Sequence, residues 1–198
     1  MTIIEIACDL LADLLVYPGA DYPARIERCR QVLVASQPEA ATLLREFEVG
    51  ILSRGPVERE ELFTRTFDCN PPCALEIGWH LFGESYDRGA FLVWMRGQLR
   101  RLAVPESTEL PDHLTHVLAM LGRMDESEAD SFAVQCVLPA VERILPALQD
   151  SGNPYEKLLA AIASTLRANH GTARPSRFRL PILRPEAGSA VELDGVAP

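Results

Sequence analysis

Apolar residues recur every three or four positions along most of this chain, and no stretch alternates with period two between turn signals. That pattern favours helices and leaves little room for a sheet. Ile3, Ile6, Ala7, Leu10, Leu11, Leu14 and Leu15 share one face, and Pro18-Gly19 ends the run. The same spacing joins Ile26, Cys29, Val32 and Leu33 within 22–36, and Leu43, Leu44, Phe47 and Ile51 within 38–53. Further helices are predicted over 56–67, 73–83, 87–103, 111–123, 126–149 and 154–169. Asp125 with Glu128 resembles a capping box, and Asn153 places a cap before a first-turn proline. Pro139 and Pro146 should kink or split the segment that holds them. The expected fold is all-α, a single-domain helical bundle of about eight or nine helices over residues 1–170.

Residues 171–198 lose the periodicity, gain prolines, and read as a partly disordered tail. Arg174, Arg177, Arg179 and Arg184 precede its first acid, Glu186, with Phe178, Leu180, Ile182 and Leu183 interleaved. Such a segment could lie in an acidic groove of its own protein, although a mobile tail is the simpler expectation. At 198 residues the chain should bury roughly 70% of its unfolded surface, so it needs neither disulfides nor metal to hold a core.

A net charge of −9 repels phosphate backbones and argues against nucleic acid as a partner. Glu5, Asp9 and Asp13 stand where a signal peptide would need positive charge, and no uninterrupted apolar run approaches ~18 residues. These features predict a cytoplasmic protein with no stable membrane insertion. Five scattered cysteines, an odd number, fit a reducing compartment better than a disulfide framework.

The densest run of unusual residues is "FDCNPPCALEIGWHLFGE", Phe67 to Glu84. If a helix starts near Pro72, then Cys73, Glu76 and His80 share a face and could meet a zinc ion. Structural zinc more often draws on tight C-x2-C pairs, C-x3-C is not a redox dithiol, and buried cysteine behaves as a small hydrophobe. A thiol-based metal or redox protein using Cys69, Cys73 and His80 is therefore the alternative reading, and buried small side chains the leading one.

The second constellation is "STELPDHLTHVLAML". Pro111 suits position N1 of a helix, which would put Asp112 and His113 in its first turn. There a carboxylate is favoured and a charged imidazole disfavoured. His113 and His116 stand three apart, but no third metal ligand is evident. From Val104 to Asp130 seven acids face one arginine, Arg123, an acidic stretch beside apolar residues that would suit a basic, hydrophobic peptide. No G-x-S-x-G, P-loop, dinucleotide fingerprint or H-E-x-x-H occurs, which argues against an enzyme, and no cofactor is expected.

"ELFTRTFDCNPPCALEIGWHLFGESYDRGAFLVWMRGQLRR" followed by "ELPDHLTHVLAMLGRM" resembles the NarJ family of nitrate reductase molybdenum cofactor assembly chaperones, within the wider TorD/DmsD group of redox-enzyme maturation chaperones. The resemblance runs from Glu61 to Met124. It implies an all-α cytoplasmic chaperone that binds the leader-like N-terminal segment of a molybdenum-containing catalytic subunit. That binding would support cofactor insertion before membrane attachment, and proteins of cofactor biosynthesis are further possible partners. The family's Asp-His pair falls on Asp112 and His113, and its groove-lining loop and helix fall on Phe67 to Gly83. The peptide-binding residues expected on this basis are Phe67, Asp68, Pro71, Pro72, Leu75, Glu76, Trp79, His80, Phe82, Pro111, Asp112, His113 and His116. Leu75, Trp79 and Phe82 would take apolar side chains, Asp112 would hold basic ones, and His113 would supply a hydrogen bond.

Overall fold

In the computed structural model, which describes residues 2–171, the helices begin where the sequence supplies caps. Helix α1, Ile3–Ala12, opens with a reciprocal box: the Glu5 amide donates to Thr2 Oγ1, and the Thr2 amide donates to Glu5 Oε2, both at 3.2 Å. Prolines in the first turn start α2 (Tyr22–Ser36), α3 (Pro38–Leu52) and α4 (Pro56–Phe63). Then come α5 (Ile77–Phe82), α6 (Tyr86–Arg101), α7 (Leu114–Leu121), α8 (Glu126–Phe132), α9 (Leu138–Leu148) and α10 (Tyr155–His170). No extended strand occurs among the described residues, as the periodicity implied.

The helices pack in a circuit. α1 lies against α7 and α2, α2 against α3, α3 against α10, α10 against α9, and α9 against α5. α5 and α6 pack together, and α6 touches α7. Inside lies one apolar cluster, with Tyr22, Phe47, Phe91, Phe132 and Tyr155 among its largest fully buried side chains. At roughly 1.5–3 kcal/mol per buried large apolar side chain, this cluster is the main source of stability.

Three expectations need correction. Residues 73–83 do not form one helix: Pro71–Cys73 is a 3-10 turn and α5 starts only at Ile77, so Cys73, Glu76 and His80 do not share a helical face. The proline pair restricts the backbone before it and removes two amide donors, which keeps this turn short. Secondly, α7 starts at Leu114 with His113 as its N-cap, so Pro111 and Asp112 precede the helix. Thirdly, α4 runs into a π-turn at Thr64–Asp68.

The expected interruption of 126–149 takes a specific form. A π-turn at Ala133–Val137 joins α8 to α9 just ahead of Pro139, whose missing N–H cannot serve a regular helix. Glu126–Leu148 is long and apolar enough to cross a membrane by length and composition, yet 56% of its most apolar window is buried inside the protein. It serves as a core helix. The tail expected from residue 171 lies outside the described residues, except for Gly171.

Candidate functional site

Two loops remote in sequence are joined by backbone bonds. Glu76 and His113 form an isolated antiparallel bridge. The Ile77 amide donates to Asp112 O at 3.0 Å, and the Leu114 amide donates to Leu75 O at 2.8 Å. Asp112, fully buried, accepts a further bond at Oδ2 from the Gly78 amide, at 3.0 Å. Asp112 therefore supplies from across the fold the cap that α5 lacks from its own N-cap side chain. Burial raises its carboxyl pKa, while the Gly78 bond and the nearby Arg88 charge act to lower it. The approach is close: a Cβ on Gly78 would stand 2.5 Å from Asp112 Oδ2 and 2.9 Å from the Phe91 ring. At the far end of α5, Gly83 takes a φ of +59°, which favours glycine.

The joined loops form one wall of a groove of about 620 Å³. This wall presents Glu76, Glu109 and His113, with Leu75 and Trp79 beside them. His113 is 7% exposed, and its Nδ1 accepts from the Thr115 amide at 3.3 Å and lies 2.8 Å from the Thr115 hydroxyl. Burial, reinforced by neighbouring His116, pushes its pKa down to about 4, so the ring is neutral at physiological pH. His116 Nδ1 donates to Leu110 O at 2.9 Å, and its Nε2 accepts from the Ser107 amide at 3.1 Å. That clamp fixes the loop that carries Glu109.

A second wall is aromatic. Tyr17, Phe63 and Phe67 line it, with Leu15 and Val16 alongside and Asp68 at its edge. Edge-to-face pairs link Tyr17 to Phe63 at 5.8 Å, Phe63 to Phe67 at 5.2 Å, and Phe67 to the core ring of Tyr155 at 4.8 Å. Arg88 lies over the Trp79 ring, 5.5 Å from its centre. Past Tyr17 the surface dips again into a depression of about 490 Å³ lined by Val57, Glu60, Glu61, Thr64 and Arg65.

Two curated relatives are similar over this architecture: the nitrate reductase molybdenum cofactor assembly chaperones NarJ of Escherichia coli strain K12 and of Escherichia coli O157:H7. Each is 27% identical over 163 residues, covering 79% of this chain and 69% of the relative. Over that span the chain is similar to NarJ assembly chaperones. No family model matches it. Both relatives are named as assembly chaperones and not as enzymes.

Of the residues expected to bind peptide, Phe67, Asp68, Pro71, Leu75, Glu76, Trp79 and His113 line the groove. Pro72, His80, Phe82, Pro111, Asp112 and His116 do not. His80 Nε2 lies 2.7 Å from Ala74 O, and Arg143 on α9 donates to the His80 carbonyl. Phe82 packs on Phe91 at 5.2 Å, so it is not part of an apolar groove face with Leu75 and Trp79. Asp112 is interior and caps α5, so it is not an anion at the mouth of α7. The sequence reading missed Tyr17, Phe63, Arg88, Thr108 and Glu109 as groove residues. Glu109 had counted as one acid of a run and stood four residues before His113 without a groove role, and Tyr17 lay in an unassigned turn.

The thiols do not meet as the metal alternative required. The Asn70 amide group donates to Cys73 Sγ at 3.1 Å, while Cys69 is exposed. Among the described residues, the group with metal-ligand spacing is Glu76, Glu109 and His113, whose ligand atoms all lie within 4.8 Å of one another.

Proposed function

We propose that this chain is a cytoplasmic, system-specific chaperone of the NarJ family that receives the N-terminal segment of the apo catalytic subunit of a respiratory nitrate reductase or a related molybdoenzyme. It would hold that subunit ready for molybdenum cofactor insertion and complex assembly before membrane attachment. The observation that carries this reading is a groove whose lining combines aromatic rings with two carboxylates, Glu76 and Glu109. A leader-like peptide offers the complementary chemistry, apolar side chains beside basic ones. The second depression beyond Tyr17 supports an extended occupant.

In binding, Trp79, Phe63 and Phe67 take apolar side chains, Glu76, Glu109 and Asp68 pair with basic ones, and neutral His113 offers a hydrogen bond at Nε2. Charge-assisted bonds of ~1.5–3 kcal/mol each, offset by ordering of the peptide, give an affinity on the order of micromolar. The release that a maturation chaperone requires is compatible with that strength. The test is calorimetric titration of a synthetic peptide of the client's first ~30 residues, a full targeting segment in length. Saturable binding that weakens in Trp79→Ala and in Glu109→Gln is expected. No saturable binding, or equal binding by both variants, overturns the assignment.

A further inference from the structure

One histidine and two glutamates share a corner of the groove, with ligand atoms within 4.8 Å of one another. We propose that Glu76, Glu109 and His113 form a binding site for one divalent transition-metal ion, with zinc as the test ion. Ligand atoms around a tetrahedral zinc ion stand roughly 3.4 Å apart, given bond lengths near 2.0–2.2 Å. Exposed Glu109 can close the remaining gap by a change of rotamer. Imidazole with carboxylates suits first-row ions of intermediate softness. The two carboxylates balance the charge of the ion, and three protein ligands leave a fourth position open.

Carboxylates alone on a surface would be a solvated acidic patch. The histidine separates this cluster from one. His113 is 93% buried, from its 7% exposure, and no protein group bonds its Nε2. Its Nδ1 lies 2.8 Å from the Thr115 hydroxyl, and an ion would select the tautomer in which Nδ1–H donates to that hydroxyl, in place of accepting from the Thr115 amide, so that the Nε2 lone pair faces the ion.

The corner is also built before any ion arrives. Glu76 and His113 are held side by side by the backbone bridge. Glu109 stands on the loop that His116 pins through Ser107 and Leu110, and its amide donates to Ser107 Oγ at 3.1 Å. No cysteine contributes. The site is therefore distinct in ligand chemistry from the sulfur site that the sequence suggested.

The experiment uses the full chain alone, stripped with chelator, titrated with Zn²⁺ and analysed for bound metal. It needs no peptide, so its outcome is independent of the proposed client. One equivalent of zinc is expected. At least a tenfold weaker affinity is expected in Glu109→Gln and in Glu76→Gln, with unchanged thermal melts, and a 10–100-fold loss in Thr115→Val through the imidazole's support. Cys69→Ser should bind as the parent does, and cobalt-loaded protein should lack thiolate charge-transfer absorption. Absence of saturable binding, parent-like affinity in Glu109→Gln, or a thiolate band overturns the proposal. Glu109 is exposed, so that variant keeps the test sound even if changes at His113 impair folding.

Discussion

The two walls of the groove are built by different means. The aromatic wall is the core reaching the surface: Tyr17, Phe63 and Phe67 continue through Tyr155 to Phe47 and Tyr22 in a chain of ring contacts between 4.8 and 6.3 Å. The polar wall owes its shape to backbone bonds and buried polar clamps, with its outer carboxylates carrying little of the packing. Stability and recognition are thus fused on one side and separable on the other.

The sharpest way to break that comparison is Phe67→Ala. Phe67 is 6% exposed and meets two rings edge-to-face, so its loss should cost about 3–5 kcal/mol in urea unfolding. A loss below about 1 kcal/mol would show that the aromatic wall is not continuous with the core.

Asp112 supplies the next test, because it belongs to the polar wall's foundation and not to its surface. Asp112→Ala should lose about 1–3 kcal/mol by stranding the Gly78 amide, whereas Asp112→Asn, which keeps an acceptor and removes a buried charge, should stay close to the parent. Equal destabilisation by both would mean that the charge, and not the cap, is what α5 needs.

Glu109→Gln should leave the melting curve unchanged and weaken the leader-like peptide about fivefold at low salt, with the difference shrinking as salt rises. A stability loss comparable to that of Asp112→Ala would merge the two categories. Smallest of all should be Cys69→Ser, within about 0.5 kcal/mol of the parent. In thiol titration of the folded chain Cys69 should react first. Cys8, Cys29 and Cys136, each pushed up to about 12 by burial, should react only on unfolding.

Helices were legible in the sequence because their signals are local. Pro38 and Pro56 stand at the first positions of the helices predicted from 38 and 56, and Asp125 accepts from the Glu128 amide three residues on. Asn153 does likewise, accepting from the Tyr155 amide at 3.1 Å. Groove residues from Phe67 to Trp79 were legible through the family resemblance, since they lie in one contiguous motif. The role of Asp112 was not legible, because its partner amide stands 34 residues away and the proline before it imitates a helix start. Nor was the role of His116, since its acceptor, Leu110 O, and its donor, the Ser107 amide, lie on a loop without periodicity. Tyr17 and Glu109 reach the groove only through packing of α1 against α7 and through that clamp, which no local spacing encodes.

The contact between Gly78 and Asp112 also bears on how such a chain can drift. A side chain at 78 would collide with the carboxylate at 112, and a shorter residue at 112 would strand the amide of 78. A side chain cannot be added at 78, nor the acceptor removed at 112, alone without loss, so changes of those kinds in lineages descending from this sequence should arrive in pairs. One short helix is therefore inherited as two words written far apart in the same sentence.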